Sequence, residues 1–124
     1  MTTNKSHKAR GANFESDTRD YARKAGYESE GLRKAGAKDE GDVVIRGLLG
    51  FEHVVVECKA PGQDGKIDLP GWLREARLER GHYADARSLS KTSVGVVLIK
   101  ARGKSIEDAY LVMRYGDALY GNTI

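Results

Sequence analysis

The run Asp42-Val43-Val44-Ile45-Arg46-Gly47-Leu48-Leu49-Gly50-Phe51-Glu52-His53-Val54-Val55-Val56-Glu57-Cys58-Lys59 holds two valine-rich segments joined by a glycine-bounded link. β-branched residues suit a pleated, half-buried surface. Two such segments bracketed by glycines predict an antiparallel hairpin over 42–46 and 53–59. A turn centred near Leu49–Gly50 sets Arg46 opposite His53 and Asp42 opposite Glu57. Side chains alternate along a strand, so Val43, Ile45, Val54, Val56 and Cys58 form one wholly apolar face. Asp42, Val44, Arg46, Val55, Glu57 and Lys59 form the other. Slipping either strand by one residue would mix the two faces, which favours this register.

Toward the N-terminus, Phe14, Thr18, Tyr21, Ala22 and Ala25 recur at helical spacing and predict a helix from about Asn13 to Ala25. Asn13 is a suitable N-cap and Gly26 a suitable residue just past the end. Residues 27–41 are rich in Gly, Lys and Glu, and are read as a short strand near Tyr27–Arg33 followed by a mobile loop. Toward the C-terminus, a turn at Pro61-Gly62-Gln63-Asp64-Gly65 precedes a long helix from Leu69 or Pro70 to Leu89. Val94–Lys100 reads as a buried strand and Ala109–Arg114 as another, ended by Tyr115-Gly116-Asp117. The order α-β-β-β-α-β-β predicts an α/β fold, a mixed β-sheet flanked by helices. The long helix serves as the crossover that a parallel strand pair requires.

At 124 residues the chain is a single domain, 11–124, with 1–10 as a basic flexible N-terminal arm. A domain of this size buries roughly two-thirds of its unfolded surface and needs no covalent staple. One cysteine excludes an internal disulfide and fits a reducing compartment. No apolar run approaches the ~20 residues that span a bilayer, and no signal-peptide pattern opens the chain. A cytoplasmic protein without a membrane partner is expected. The net charge of +3 is only mildly basic. Its distribution says more: Lys5, Lys8 and Arg10 precede Arg19, Arg23 and Lys24, and Arg74, Arg77, Arg80, Arg87 and Lys91 cluster later. Clustered cations without a matching acidic run suit phosphate contacts. A solvated surface with a frayed basic tail accounts for them equally well.

The hairpin has a chemical consequence. Directly opposed carboxylates destabilise a sheet, so Asp42 and Glu57 need a cation between them. A divalent metal such as Mg²⁺, with oxygen ligands and waters, meets that need. Lys59 follows Glu57 on the same face, where its ammonium can hold an attacking water or a scissile phosphate. Metal-activated water beside such a lysine suffices for phosphodiester hydrolysis. The plainer alternative is an ordinary strand end whose acids Lys59 neutralises.

Other residues carry two readings each. Glu15, in the opening turn of the first helix, either favours the helix dipole or supplies a third acid to the site. Glu79 shares an inward stripe with Trp72, Ala76, Tyr83 and Ala86. A glutamate there must be paired, protonated or functional. It either meets Arg77 or Arg80 or points toward the hairpin. Gly81 costs the long helix about 1 kcal/mol against alanine, which suggests a close approach there. His7, His53 and His82 are too scattered for a zinc site. No glycine-rich phosphate loop appears, so no nucleotide cofactor is expected. Cys58, between apolar strand positions, reads as a core residue.

The motifs Arg10-Gly11-Ala12-Asn13-Phe14-Glu15, Gly41-Asp42-Val43-Val44 and Glu57-Cys58-Lys59, in this order and spacing, resemble the PD-(D/E)xK nuclease superfamily. Within it the likeness is to archaeal-type Holliday-junction resolvases and their small phage relatives, and it spans nearly the whole chain. The resemblance implies a restriction-endonuclease-like core and a Mg²⁺-dependent endonuclease, with Mn²⁺ able to substitute. It implies that Asp42, Glu57 and the Cys58 backbone carbonyl ligate the metal, that Lys59 is the catalytic lysine, and that Glu15 is the helix acid of the site and a possible ligand. Glu79-x-x-x-Tyr83 is similar to the Gln-x-x-x-Tyr element of some members, with Glu in place of Gln, and would support the site. Gly41 stands where the name motif has proline. The substrate implied is branched DNA, four-way junctions in recombination and repair, held by Lys8, Arg10, Arg19, Arg74 and Arg77. The implied enzyme is a homodimer, because two symmetric nicks need two sites, and works in host cytoplasm if phage-encoded. The alternatives are a nuclease for other branched or linear duplex DNA, or a catalytically silent DNA-binding module on the same fold.

Overall fold

Valine content and glycine punctuation put the hairpin where the sequence predicts it. The computed structural model describes residues 4–34, 38–62, 65–89 and 92–121. Strand β1 is Glu28–Gly31, β2 Val43–Arg46 and β3 His53–Lys59. β2 and β3 are antiparallel, with Val43 opposite Val56, Val44 opposite Val55 and Ile45 opposite Val54. The link tightens into a 3₁₀ turn over Leu48–Gly50, and Gly47, Leu49 and Gly50 all take left-handed backbone.

The remaining elements follow the predicted order. β1 pairs antiparallel with β2; β4 (Ser93–Ile99) is parallel to β3; β5 (Tyr110–Val112) is antiparallel to β4. The fold is therefore α/β, a five-stranded mixed sheet in the order β1-β2-β3-β4-β5 flanked by helices. Helix α1 is Asn4–Lys24 and the crossover helix α2 is Leu69–Arg87. The Asp68 carboxylate caps α2 by accepting the Gly71 N–H at 3.1 Å, and Pro70 sits in the first turn, where a missing N–H costs nothing.

Each sheet face is covered by one helix. α1 lies over Val43, Ile45, Val54, Val56, Val94 and Val96, the apolar face of the hairpin extended onto β4. It buries Phe14, Thr18 and Ala22, while Tyr21 and Ala25 of the expected stripe are exposed. α2 covers the other face with Tyr83 against Val44 and Val55, and Ala76 against Val97 and Ile99. Each large side chain buried this way contributes roughly 1.5–3 kcal/mol. The close helix–sheet approach comes at Gly95, where a Cβ would fall on the Ala76 carbonyl oxygen; Gly81, expected to mark such an approach, has open space around it.

Three boundaries differ from expectation. α1 begins at Asn4, so residues 4–10 of the expected flexible arm are helical and Asn13 is inside the helix rather than its N-cap. Lys, Ala and Arg are good helix formers, and the turn pattern that signals a core face is simply absent there. The short helix α3 (Tyr115–Tyr120) stands where the sequence suggested only a strand terminator. β5 is correspondingly shorter, preceded by a 3₁₀ turn at Ile106–Asp108. Of the turn before α2, Gln63 and Asp64 lie outside the described residues; Gly65 N–H closes it on the Gly62 carbonyl at 2.9 Å. No helix among the described residues is long and apolar enough to cross a membrane.

Candidate active site

The ladder between β2 and β3 ends at Val43, and the chain then departs from regular pairing. Gly41 has φ +103, and the Asp42 N–H donates to the Val56 carbonyl at 3.0 Å, the residue already opposite Val43. Two residues of one strand facing one of its neighbour is the geometry of a β-bulge. Asp42 is therefore not directly opposite Glu57, as uninterrupted alternation would have it. Its carboxylate turns to the sheet edge, where Oδ2 accepts the Cys58 N–H at 2.8 Å. The other oxygen, Oδ1, pairs with the Lys34 ammonium, which also lies 3.8 Å from Glu15 on α1. N–H and C=O of one strand residue point the same way, so the Cys58 carbonyl faces this edge too. Glu15, Asp42 and Cys58, which the sequence grouped, are thus brought together around Lys34, which it did not single out.

Glu57 and Lys59 point to the other face, under α2. There Glu75 and Glu79, one turn apart, descend onto them, and one carboxylate oxygen from each of Glu57, Glu75 and Glu79 lies within 4.8 Å of the other two. Lys59 Nζ sits 3.4 Å from Glu57 Oε1, 3.2 Å from Glu75 Oε2 and 5.6 Å from the centroid of the Trp72 ring. Glu79 takes the inward reading of its two alternatives. Asp42 is not in this triplet but adjoins it: a Cβ on Gly41 would stand 3.2 Å from Glu79 Oε2. Glu75 escaped the sequence reading, although its place four residues before Glu79, on the same helix face, was the available signal.

Such crowding of acids has an electrostatic cost. Burial pushes the Glu57 carboxyl up to about 9, reinforced by its hydrogen bond and repulsion with Glu79 and by Glu75, while Lys59 pulls the other way. Burial, and then Glu75, also raise Glu79 above the usual carboxylate range. Burial alone would lower the Lys59 ammonium, but Glu57 and Glu75 outweigh it and hold the group above its ordinary value. Glu79 is only 7% exposed, and its buried Oε2 has no hydrogen-bond partner. Three convergent carboxylates, one with an orphaned oxygen, and a single lysine match the oxygen-rich donor set that a hard divalent cation prefers. The residues fit such an ion. Cys58, whose thiol burial pushes up to about 12, stays a neutral core group beside Thr18 Oγ1.

The other expected residues lie elsewhere. Tyr83 is fully buried, and its hydroxyl meets His53 Nδ1 at 2.9 Å, at the start of β3 rather than the acidic end. Arg19 contacts Ser16 and Asp20 on its own helix. Arg74 and Arg77 are exposed on α2. Lys8 and Arg10 fall on α1, and their side chains lie outside the described set. The loop leading to Gly41 is pinned to α2 by Arg87 on Glu40 at 2.9 Å and by His82 Nδ1 against the Asp39 carbonyl at 2.8 Å. Compared with known proteins, the chain matches no family model, no curated protein and no solved structure.

Proposed function

We propose that the chain is a Mg²⁺-dependent endonuclease that hydrolyses DNA phosphodiesters, with a PD-(D/E)xK site on a restriction-endonuclease-like core. One observation carries the reading: Lys59 stands beside three convergent carboxylates, the buried Glu57 and Glu79 and the half-buried Glu75, and Glu79 carries an orphaned oxygen. Glu57, Glu75 and Glu79 would hold the ion, with Asp42 and the Cys58 carbonyl at the adjoining edge. When bound, the metal supplies an acidified water and positive charge for the phosphate oxygens. The chain's own groups do the rest. Lys59, kept protonated by Glu57 and Glu75 and backed by Trp72, donates hydrogen bonds to the oxygen on which negative charge builds. Glu75, 41% exposed at its side chain, is the acid most open to solvent and accepts the proton of the attacking water.

The substrate proposed is a four-way DNA junction cut by a homodimer, as the motif resemblance suggests. The test is incubation of the purified protein with a synthetic immobile junction and matched flapped, nicked and linear duplexes, with Mg²⁺, with Mn²⁺ and with chelator. Paired symmetric cuts in the junction support the full reading. Cutting confined to the other DNAs keeps the chemistry and moves the substrate. No cleavage of any DNA, or undiminished cleavage by Lys59→Ala, sinks the nuclease reading and favours a silent DNA-binding module.

A further inference from the structure

On the face of the sheet that carries Glu57 and Lys59, the neighbouring strand opens a second feature. Lys59 pairs in register with Ile99, and the Lys100 N–H donates to the Lys59 carbonyl at 2.9 Å. Ile99 lines an open cleft of about 550 Å³ whose walls carry Lys100, Arg102, Lys104 and Tyr110. No acidic side chain is among the described residues lining it, and no ion pair among the described residues engages its three cations. Their presentation is fixed by the chain. The Lys104 N–H closes a turn on the Ala101 carbonyl at 3.1 Å, and Gly103 takes φ +71 within it. Tyr110 is 60% exposed, and Ile67, across the cleft, 57%. Exposed apolar surface of that size, inside a rim of unpaired cations, lacks a reason in the fold itself.

We propose that this cleft binds a single strand of DNA running away from the cutting site, with phosphates on Lys100, Arg102 and Lys104 and a base stacked on Tyr110. The inference rests on the nuclease reading for the ligand being DNA. Cations that follow a backbone, combined with an aromatic ring that takes any base, form the general platform for single strands. A closed duplex could use the cations but would leave the Tyr110 ring without a partner, since its bases are already stacked on one another. The direct backbone link from Lys100 to Lys59 sets the cleft beside the reacting phosphate. The site is thereby fitted to DNA in which strands part company, and none of Arg19, Arg74 and Arg77 lines it.

The test measures binding of the full chain to a labelled twelve-nucleotide single strand, by fluorescence anisotropy in chelator, over a range of salt. For single strands the slope of log affinity against log salt falls by about 0.7 for each phosphate that the protein no longer neutralises. The combined Lys100→Ala, Arg102→Ala, Lys104→Ala variant is therefore expected to bind more than tenfold more weakly and to flatten the slope by about 2. Tyr110→Ala should weaken binding roughly fivefold to a hundredfold with the slope unchanged, since stacking is removed and charge is not; Tyr110→Phe should bind as wild type. Lys38→Ala, an exposed cation outside the cleft and outside both cationic clusters, is the control and should change neither quantity. Wild-type affinity and slope in the triple variant overturn the proposal, as does an equal weakening in Lys38→Ala or in Tyr110→Phe. Cleavage is not read, so the two ideas fail separately. A chain that binds through the cleft and cuts nothing loses only the nuclease reading, and one that cuts yet ignores these substitutions loses only the cleft.

Discussion

Lys34 occupies the position among Glu15 and Asp42 that a cation would take, and its side chain is 54% exposed, free to swing into solvent. An ammonium there neutralises the edge acids, and under the proposed function it would compete with an arriving metal ion. Lys34→Met should raise the affinity for Mg²⁺ or Ca²⁺ several-fold by calorimetry; unchanged or weakened affinity would refute the competition. If the proposed nuclease function holds, Lys59→Ala should slow cleavage at least 10²–10³-fold, the usual loss for a group that stabilises developing charge, while the circular dichroism spectrum keeps its shape. Glu57 gives a pH prediction. Its folded carboxyl titrates near 9 against an ordinary 4.5, so between those values the folded chain holds a proton that the unfolded chain has lost. Stability from this group is complete below 4.5 and drains away as pH rises through 9. Metal-free protein should melt at progressively lower temperature from pH 5 to pH 9, and Glu57→Gln should flatten that decline. That Glu57 lies with Lys59, and Asp42 with Glu15, could be expected because hairpin alternation and motif spacing are local. Lys34 could not, because its loop carries no period, and Glu75 was passed over although it stands one turn before Glu79 on the same helix face.

At the scale of elements, the hairpin register and the crossover helix could be read directly, since valine runs, glycines and an inward stripe all agree. The bulge at Asp42 could not, because strand alternation assumes unbroken pairing and only a backbone angle reveals the break. Gly41 is the residue that permits it. Replacing it with alanine sets a Cβ at 2.9 Å from Val55 Cγ1 with φ still at +103, and should cost about 1–3 kcal/mol in chemical denaturation. Gly95→Ala should cost at least as much by driving α2 off β4 at Ala76, with near-ultraviolet dichroism changing as Tyr83 and Trp72 shift. Wild-type stability in either variant would mean the helix and loop adjust more freely than their packing indicates. The length of α1 was missed for a simpler reason: its first turns rest on propensity, which leaves no apolar pattern to read.

At the scale of the molecule, the sheet follows chain order throughout, and among the described residues the α-helical excursion between neighbouring strands is the one through α2. That excursion also delivers Glu75 and Glu79 to Glu57. The acidic group is thus split between a locally formed meander and the segment that must close the longest loop, the slow part of building a mixed sheet. Its repulsion is felt only when α2 docks. An ion bound by all three acids would then stabilise the finished state far more than the barrier leading to it, which stabilisation of late contacts translates into a lower unfolding rate. With such an ion the crossover would make the site a kinetic latch: saturating Mg²⁺ should leave the refolding limb of a denaturant chevron nearly unmoved and carry its effect almost wholly in the unfolding limb.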